Sequence, residues 1–426
     1  MADAWARMDA FRQRDLWLGV TNRYRSRPSK RVTDDAKNSK VNDRQLAEFI
    51  AASVVLHCSD AWALLGRAVD ALLIGHVSAA KHFAYYSELR AAMSILGYQG
   101  VGIFDHRHVV LDGAGKISTI PKNRRGYPGT HLVTWLALDY CSSQSQWGKL
   151  LEEIISPAGL PMEFWLPEFP ARAPWRTLGR SWMLSWGFDL RRLGKDRDMR
   201  NDASYQPSSL EGVQSIPAAP ALEFIECIWM ALEPSPGSPF EPIDRFLLRH
   251  SLDETIKTRI GSLPSGSERE RLVDLLLERV GVGGHESAIR AFLVTDDLVA
   301  GGVSCLFDLA TSSAQASQEA MAMAARAVLL LRIASGASRQ LAEAVGTPND
   351  LRFWWEDFAI QRGLWGADDE PAALTDLWAD IEESLDASLR WRTSGAEERS
   401  SALRELGGTL GILGQFERAC LWSAVG

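Results

Sequence analysis

The stretch SAAKHFAYYSELRAAMSILGYQG, residues 78–100, predicts the fold class more clearly than any other part of the chain. Its apolar residues recur at steps of three and four, which is the period of one face of an α-helix. They are Ala79, Phe83, Tyr86, Met93 and Leu96. Gly97 and Gly100 then provide the signal at which a helix ends. The stretch therefore predicts a long helix in a mostly α-helical protein.

The same helical period recurs in both halves of the chain. It predicts helices at 43–52, 59–75, 130–143, 175–199, 268–280, 318–335 and 371–391. The stretch VGIFDHRHVVLDGAGKISTI, residues 101–120, differs because it alternates, is rich in Val and Ile, and has a glycine-containing turn at its centre. That pattern predicts a small β-hairpin within the helical protein.

Polar and proline-rich stretches predict how the chain is divided into domains. We expect a polar N-terminal arm at 1–45, a helical domain at 46–215, a Pro-rich linker at 216–242 and a C-terminal helical domain at 243–426. Within the arm, residues 20–45 are first basic and then of mixed charge, and we expect them to be a loop or flexible arm.

Composition is typical of a globular protein, with 46% hydrophobic and 23% charged residues. The net charge of −8 argues against a protein that coats nucleic acid through general basicity. The five cysteines are far apart and form no CxxC, which predicts free thiols in a reducing compartment. No apolar run approaches the ~18–20 residues of a membrane span, and the first residues are charged. We therefore expect a cytoplasmic protein without a membrane partner.

Motifs for cofactors and metals are incomplete in this sequence. GAGKIST at 113–119 lacks the first glycine of a phosphate loop, since Val110 stands there, and is better explained as a hairpin turn. His106 and His108 share one face of a strand but have no third metal ligand nearby. We therefore expect neither a cofactor nor a metal.

The stretch DMRNDASYQP, residues 198–207, contains the best candidate site. Arg200 offers a planar fork of donors that suits phosphate, and Asn201 can both donate and accept. If a helix continues this far, Asn201 and Tyr205 share a face, and Pro207 ends the helix. The alternative is a polar helix end in which Arg200 pairs with Asp196, one turn earlier.

Arg200 and Asn201 together resemble the signature of the HEPN superfamily of helical nucleotide-binding domains. That signature is an arginine, often followed by Asn, Asp or His, with a histidine four to six residues later. Here Tyr205 stands where the histidine is expected. The family often has an acidic residue on an earlier helix, and Glu88 is its counterpart here, with Arg200 as its hypothesised partner. The resemblance covers about residues 45–215.

The resemblance implies metal-independent RNA cleavage, in which the ribose 2′-OH attacks the adjacent phosphate. The arginine stabilises the phosphorane, the histidine moves a proton, and two copies form one site across a homodimer. The implied site residues are Arg200, Asn201, Tyr205 and Glu88. The family also implies a toxin or a component of anti-phage defence that binds RNA or a nucleotide.

Tyr205 changes the chemistry that this motif can perform. A tyrosine, with a pKa near ~10, is a poor base at neutral pH, whereas histidine titrates near ~6.5. Tyrosine can still donate a hydrogen bond to phosphate or act as a general acid. His82 and His131, on helices of the same domain, are the candidates to carry the proton instead. Otherwise the site binds nucleotide without cutting it.

A non-catalytic helical subunit of a larger assembly is the alternative function. The 16 tryptophans could anchor a protein partner, and the acidic net charge and the missing motif histidine favour this interpretation. The interpretation as an RNA-cleaving protein is favoured by the adjacent residues Arg200 and Asn201, together with Glu88 on an earlier helix.

Overall fold

The computed structural model describes ten segments of the chain, and helices dominate them, as the sequence predicts. The described residues are 1–121, 128–165, 175–205, 216–260, 266–281, 286–294, 303–312, 318–344, 351–395 and 397–425. His285, which the sequence leaves without a role, lies outside the described residues.

The helices of the first half surround the long pair α4 and α5. They are α1 (Ala2–Ala6), α2 (Asp9–Arg12), α3 (Pro28–Lys37), α4 (Asp43–Leu73), α5 (Val77–Tyr98), α6 (Thr130–Ser142), α7 (Ser145–Ile154), α8 (Met162–Trp165), α9 (Trp175–Ser185) and α10 (Leu190–Tyr205).

The helices of the second half include the central helix α16. They are α11 (Ala218–Ala231), α12 (Glu241–Ile260), α13 (Gly266–Val280), α14 (Glu286–Val294), α15 (Val303–Thr311), α16 (Glu319–Glu343), α17 (Arg352–Arg362), α18 (Leu377–Thr393), α19 (Arg399–Glu405), α20 (Gly407–Leu413) and α21 (Glu417–Cys420).

The predicted hairpin forms and gains a third strand. Strands β1 (Val101–Gly102), β2 (Val109–Leu111) and β3 (Ile117–Thr119) make an antiparallel sheet in the order β1-β2-β3. The side chain of Asp112 accepts hydrogen bonds from the backbone N–H groups of Ala114 and Lys116, at 3.0 and 2.8 Å. The GAGK stretch is therefore a hairpin turn, as the sequence indicated.

Helix α4 is continuous, where the sequence predicted separate helices at 43–52 and 59–75. Ser59 or Asp60, either of which is a residue type that could cap a second helix, lies inside α4, and Ser59 is buried there. Burial of the intervening apolar residues, such as Val54 and Val55, outweighs this local capping signal because the helix packs along its whole length against α5.

The single helix predicted at 175–199 is interrupted between α9 and α10. Gly187 has a positive φ of 82°, its N–H bonds to the Leu184 carbonyl, and the Phe188 N–H bonds to the Met183 carbonyl. This pair of bonds is a Schellman motif, which ends α9 and re-aims the chain into α10. The interruption sets the direction of the helix that contains Arg200.

Two segments expected to lack helices contain them. The expected arm at 1–45 contains α1 to α3, with Trp5 and Tyr24 buried, and the expected linker at 216–242 contains α11, with Trp229 buried. Large buried aromatics hold both segments against the core. The division into domains stays a prediction, while α16 of the second half packs on α4 and α5 of the first.

Helix α16 lies in the core and contains two buried arginines, Arg326 and Arg332. The Arg326 Nε atom donates to Glu88 of α5 at 2.9 Å, and its Nη2 atom donates to Asp196 of α10 at 2.5 Å. Arg332 donates to both carboxylate oxygens of Asp244 in α12, at 2.7 and 2.8 Å. These ion pairs fix the position of α16 relative to α5, α10 and α12.

The cysteines differ in part from the expectation of free thiols. Cys227 of α11 and Cys305 of α15 form a disulfide, with Cα atoms 6.8 Å apart. Cys58, Cys141 and Cys420 are free. The two partners are 78 positions apart in sequence, so local spacing did not reveal the pair.

Two of the described helices, Asp43–Leu73 and Glu319–Glu343, are long and apolar enough to cross a membrane by length and composition. In this structure they pack against each other and against α5. A core helix passes the same test as a membrane span. The cytoplasmic location therefore stays a prediction.

Replacing Arg326 with Met is expected to lower the free energy of unfolding by about 3–5 kcal/mol, because Glu88 and Asp196 lose the buried cation between them. Arg339→Met is the matched control: Arg339 is on the same helix, is exposed, and pairs with Glu343 one turn away. Its expected loss is below about 0.5 kcal/mol. Urea unfolding followed by tryptophan fluorescence measures both. Equal losses in the two variants would contradict the central role of Arg326.

Candidate functional site

Arg200 lies where α10 packs against α5 and α6. Its side chain is buried, with the residue 7% exposed, and its guanidinium carbon is 5.4 Å from the ring centroids of both Tyr85 and Tyr86. Its Nη2 atom is 3.1 Å from Nε2 of His131. Arg200 is thus held between two aromatic faces with its donors directed at an imidazole.

His131 is held from both sides. Its Nδ1 atom lies 3.0 Å from the Tyr85 hydroxyl, opposite the contact with Arg200. An arginine only donates, so Nε2 accepts, and the neutral ring then has its proton on Nδ1 and donates to the Tyr85 oxygen. Burial and then the charges of Arg200 and Arg197 lower the pKa of His131. His131 is therefore a neutral proton acceptor at pH 7.

Tyr85 keeps its proton in the same range of pH. Burial raises its pKa to about 12. Its hydroxyl oxygen is then a stable acceptor for the Nδ1–H of His131, which fixes the ring and its tautomer.

His82 is the second imidazole of this face. Its ring centroid is 4.9 Å from that of Tyr86, which in turn is 6.1 Å from the ring of His131. Burial and then the charge of Arg200 lower the pKa of His82. Both histidines are half-buried, so solvent reaches them. The two proton carriers named from the sequence therefore lie on one face with the arginine behind them.

Glu88 has a different partner from the one hypothesised. The structure pairs Glu88 with Arg326, whereas the hypothesis paired it with Arg200. Asp196, the alternative partner of Arg200, is also paired with Arg326. Both carboxylates are buried beneath the site and hold α5 and α10 together. Their ion pairs with Arg326 position these helices.

The rest of the motif follows Arg200 along α10. Asn201 is half-buried, and the helix continues to Tyr205, so these two residues are one turn apart on one face, as expected. The side chain of Tyr205 and the whole of Pro207 lie outside the described residues.

Three important residues were missed by the sequence reasoning: Tyr85, Tyr86 and Arg326. Arg326 had a visible signal, because it is a single charge in the apolar run AMAARAVLLL and must find a buried partner. Tyr85 and Tyr86 had no comparable signal, since aromatic residues on a helix most often fill the core.

Comparison of the chain with known proteins identifies no relative. No protein-family model, curated protein or solved structure matches the chain. Within the described ranges, no group of three or more His, Cys, Asp or Glu side chains could hold a metal ion. The likeness to the HEPN superfamily therefore depends on the motif residues alone.

Arg200→Gln is expected to raise the pKa of His131 toward its ordinary value of about 6.5, because a nearby positive charge disfavours the imidazolium. Arg197→Gln is the graded control and should raise it less, since Arg197 contributes less to the shift. An NMR titration of the imidazole resonances measures both. An unchanged pKa in Arg200→Gln would show that the contact is absent in solution.

Proposed function

We propose that this chain is a HEPN-like protein that cleaves RNA, with Arg200 at the phosphate and His131 as the base. The contact of 3.1 Å between Arg200 and His131 carries the proposal. Attack by a ribose 2′-OH needs a base for its proton and a cation for the charge that develops on phosphorus. Both groups meet here on a half-exposed face.

The resting contact suggests how the reaction would begin. When a phosphate arrives, the guanidinium turns from the imidazole to the phosphate oxygens, to which it donates stronger, charge-assisted hydrogen bonds. The lone pair on Nε2 of His131 is then free to accept the proton of the 2′-OH. Tyr85 meanwhile holds the Nδ1–H, so the ring keeps the tautomer that the reaction needs.

The bond from O2′ to phosphorus forms as the bond from phosphorus to O5′ breaks. The products are a 2′,3′-cyclic phosphate and a free 5′-hydroxyl, whose proton comes from a general acid. The hydroxyl of Tyr205 is the candidate, because Tyr205 is one turn from Asn201, whereas the lowered pKa of His82 leaves that imidazole neutral and unsuited to donate a proton. By resemblance, the protein acts as a toxin or in anti-phage defence and as a homodimer, and we place it in the cytoplasm on the basis of its sequence alone.

His131→Asn is expected to slow RNA cleavage by about 10²–10⁴-fold, since it removes the base. Arg200→Ala should cause a loss of similar size by removing the cation. Arg390→Ala, at an exposed arginine on α18, is the control and should cleave normally. Fluorescent RNA substrates measure the rates, and matched circular dichroism spectra show that the fold is retained. Full activity in His131→Asn would overturn its role as the base.

The pH profile tests the base separately. Because the pKa of His131 is lowered, the imidazole is neutral at pH 7 and is lost as a base only when it protonates. Cleavage should therefore stay high at neutral pH and fall as the pH drops through the lowered pKa. A rate that rises as the pH falls would identify His131 as an acid instead.

A subunit that docks a protein partner is the second candidate function, and one exposed surface supports it. Leu132, Leu136 and Tyr140 of α6 are 45%, 46% and 67% exposed. Spaced four residues apart, they form one apolar stripe, which we call the α6 stripe. Large exposed apolar side chains in a row are typical of a protein interface. His131 is on the same helix, so a partner on this stripe would lie beside the site.

We expect the purified chain to be a homodimer through the α6 stripe, with about twice the mass of one 47.1 kDa chain. The double variant Leu136→Glu, Tyr140→Glu should be a monomer, because charge is costly in a buried interface. Leu389→Glu, at a residue of α18 that is 48% exposed, is the control. Light scattering after gel filtration measures the mass. A dimer that survives the double variant would exclude this face.

A further inference from the structure

The first part of the N-terminal segment combines high positive charge with a fixed conformation. Residues 23–31, RYRSRPSKR, contain four arginines and one lysine and no acidic residue. The sequence predicts a loop here, but the structure places a short turn and the start of α3. The function proposed above gives this segment no role.

Buried side chains on either side of the charges hold the segment in place. The Tyr24 hydroxyl donates to Asp35 at 2.9 Å and accepts from the backbone N–H of Asn42 at 3.0 Å. Arg23 donates to the other oxygen of Asp35 at 2.6 Å, and Val32 is fully buried. The segment is thus anchored at both ends.

The remaining cations of the segment are exposed. We call them the N-terminal basic face: Arg25, Arg27, Lys30 and Arg31. In the part of the chain that the structure describes, none of the four forms an ion pair. Exposed arginines elsewhere, such as Arg44 and Arg180, do pair with carboxylates. A protein with a net charge of −8 therefore has, at 25–31, four exposed cations for which the described residues provide no ion pair.

We propose that the N-terminal basic face binds the phosphate backbone of single-stranded RNA, apart from the site of cleavage. Arginine is suited to phosphate because its planar fork can donate two parallel hydrogen bonds. An anionic membrane is less well matched: a helix that lies on lipid inserts an apolar face, and Val32 of α3 is already buried in the protein. Binding would be independent of base sequence.

The loop between β1 and β2 connects this face to the candidate site. Phe104 shares a buried cluster with Tyr24 and Val32. The Thr130 hydroxyl donates to the Phe104 carbonyl at 3.1 Å, and the next residue is His131. If the proposed function holds, RNA bound on the basic face would be held near the residues that cut it.

The test measures binding without cleavage. The probe is a fluorescent single-stranded 2′-O-methyl oligonucleotide, which lacks the attacking hydroxyl and stays intact. Fluorescence anisotropy compares wild type with the triple variant Arg25→Gln, Arg27→Gln, Arg31→Gln. Arg271→Gln, Arg390→Gln, Arg404→Gln is the matched control, because it removes three other exposed arginines and the same charge.

The first triple variant should bind at least about tenfold more weakly. Its plot of log affinity against log salt should be shallower by about 2, since each lost phosphate contact removes roughly 0.7 from the slope for single strands. The control should bind as wild type does. Equal binding by the two triple variants, or no binding by wild type, would overturn the proposal. So would binding of wild type to phosphatidylserine vesicles but not to the oligonucleotide.

The same measurements distinguish failure of the cleavage proposal from failure of the binding proposal. Arg200→Ala removes one phosphate contact at the candidate site and should therefore weaken binding of the probe less than the first triple variant does. If no RNA is cut but the probe binds through the face, the binding proposal stands and the cleavage proposal fails. If RNA is cut and both triple variants bind the probe equally, the cleavage proposal stands and the binding proposal fails.

Discussion

The buried guanidinium of Arg326 is the interaction on which the rest of the structure depends. Charged groups in a core are costly unless their partners are well placed, and Arg326 lies between two buried carboxylates, Glu88 and Asp196. The three residues come from α16, α5 and α10, so a shift of any one helix would separate charges in a dry environment. Asp196 is one turn before Arg200 and would be its natural ion-pair partner. In the structure Asp196 pairs with Arg326, and the guanidinium of Arg200 contacts His131.

The sequence predicted those features that depend on neighbouring residues. The helical period of residues 78–100 and the alternation of 101–120 are local signals, and both elements form. The break between α9 and α10 at Gly187 also had a local signal, because a glycine there is followed by an aromatic residue. The sequence prediction of one helix at 175–199 did not use this signal. The continuity of α4 was not predictable in the same way, because it depends on burial against helices that are distant in sequence.

The candidate site was predicted only in pieces. Arg200, His82 and His131 were named for their chemistry, and the structure brings all three around Tyr86. Their proximity could not be read from the sequence, since it depends on how α5, α6 and α10 cross. The partner of Glu88 is 238 positions away, and no spacing rule covers such a distance. The sequence thus pointed to side chains that lie together in the structure, but it did not reveal the ion pairs that hold their helices.

The place of Arg326 in the chain also sets when the site is completed during synthesis. Arg326 lies 130 positions after Asp196. At about 5–20 residues per second, a ribosome adds it roughly ten seconds after α10 has been made. In that interval Glu88 of α5 and Asp196 of α10 lack the cation that joins them. The joining of α5 and α10 through this cation can therefore follow only after α16 has been made.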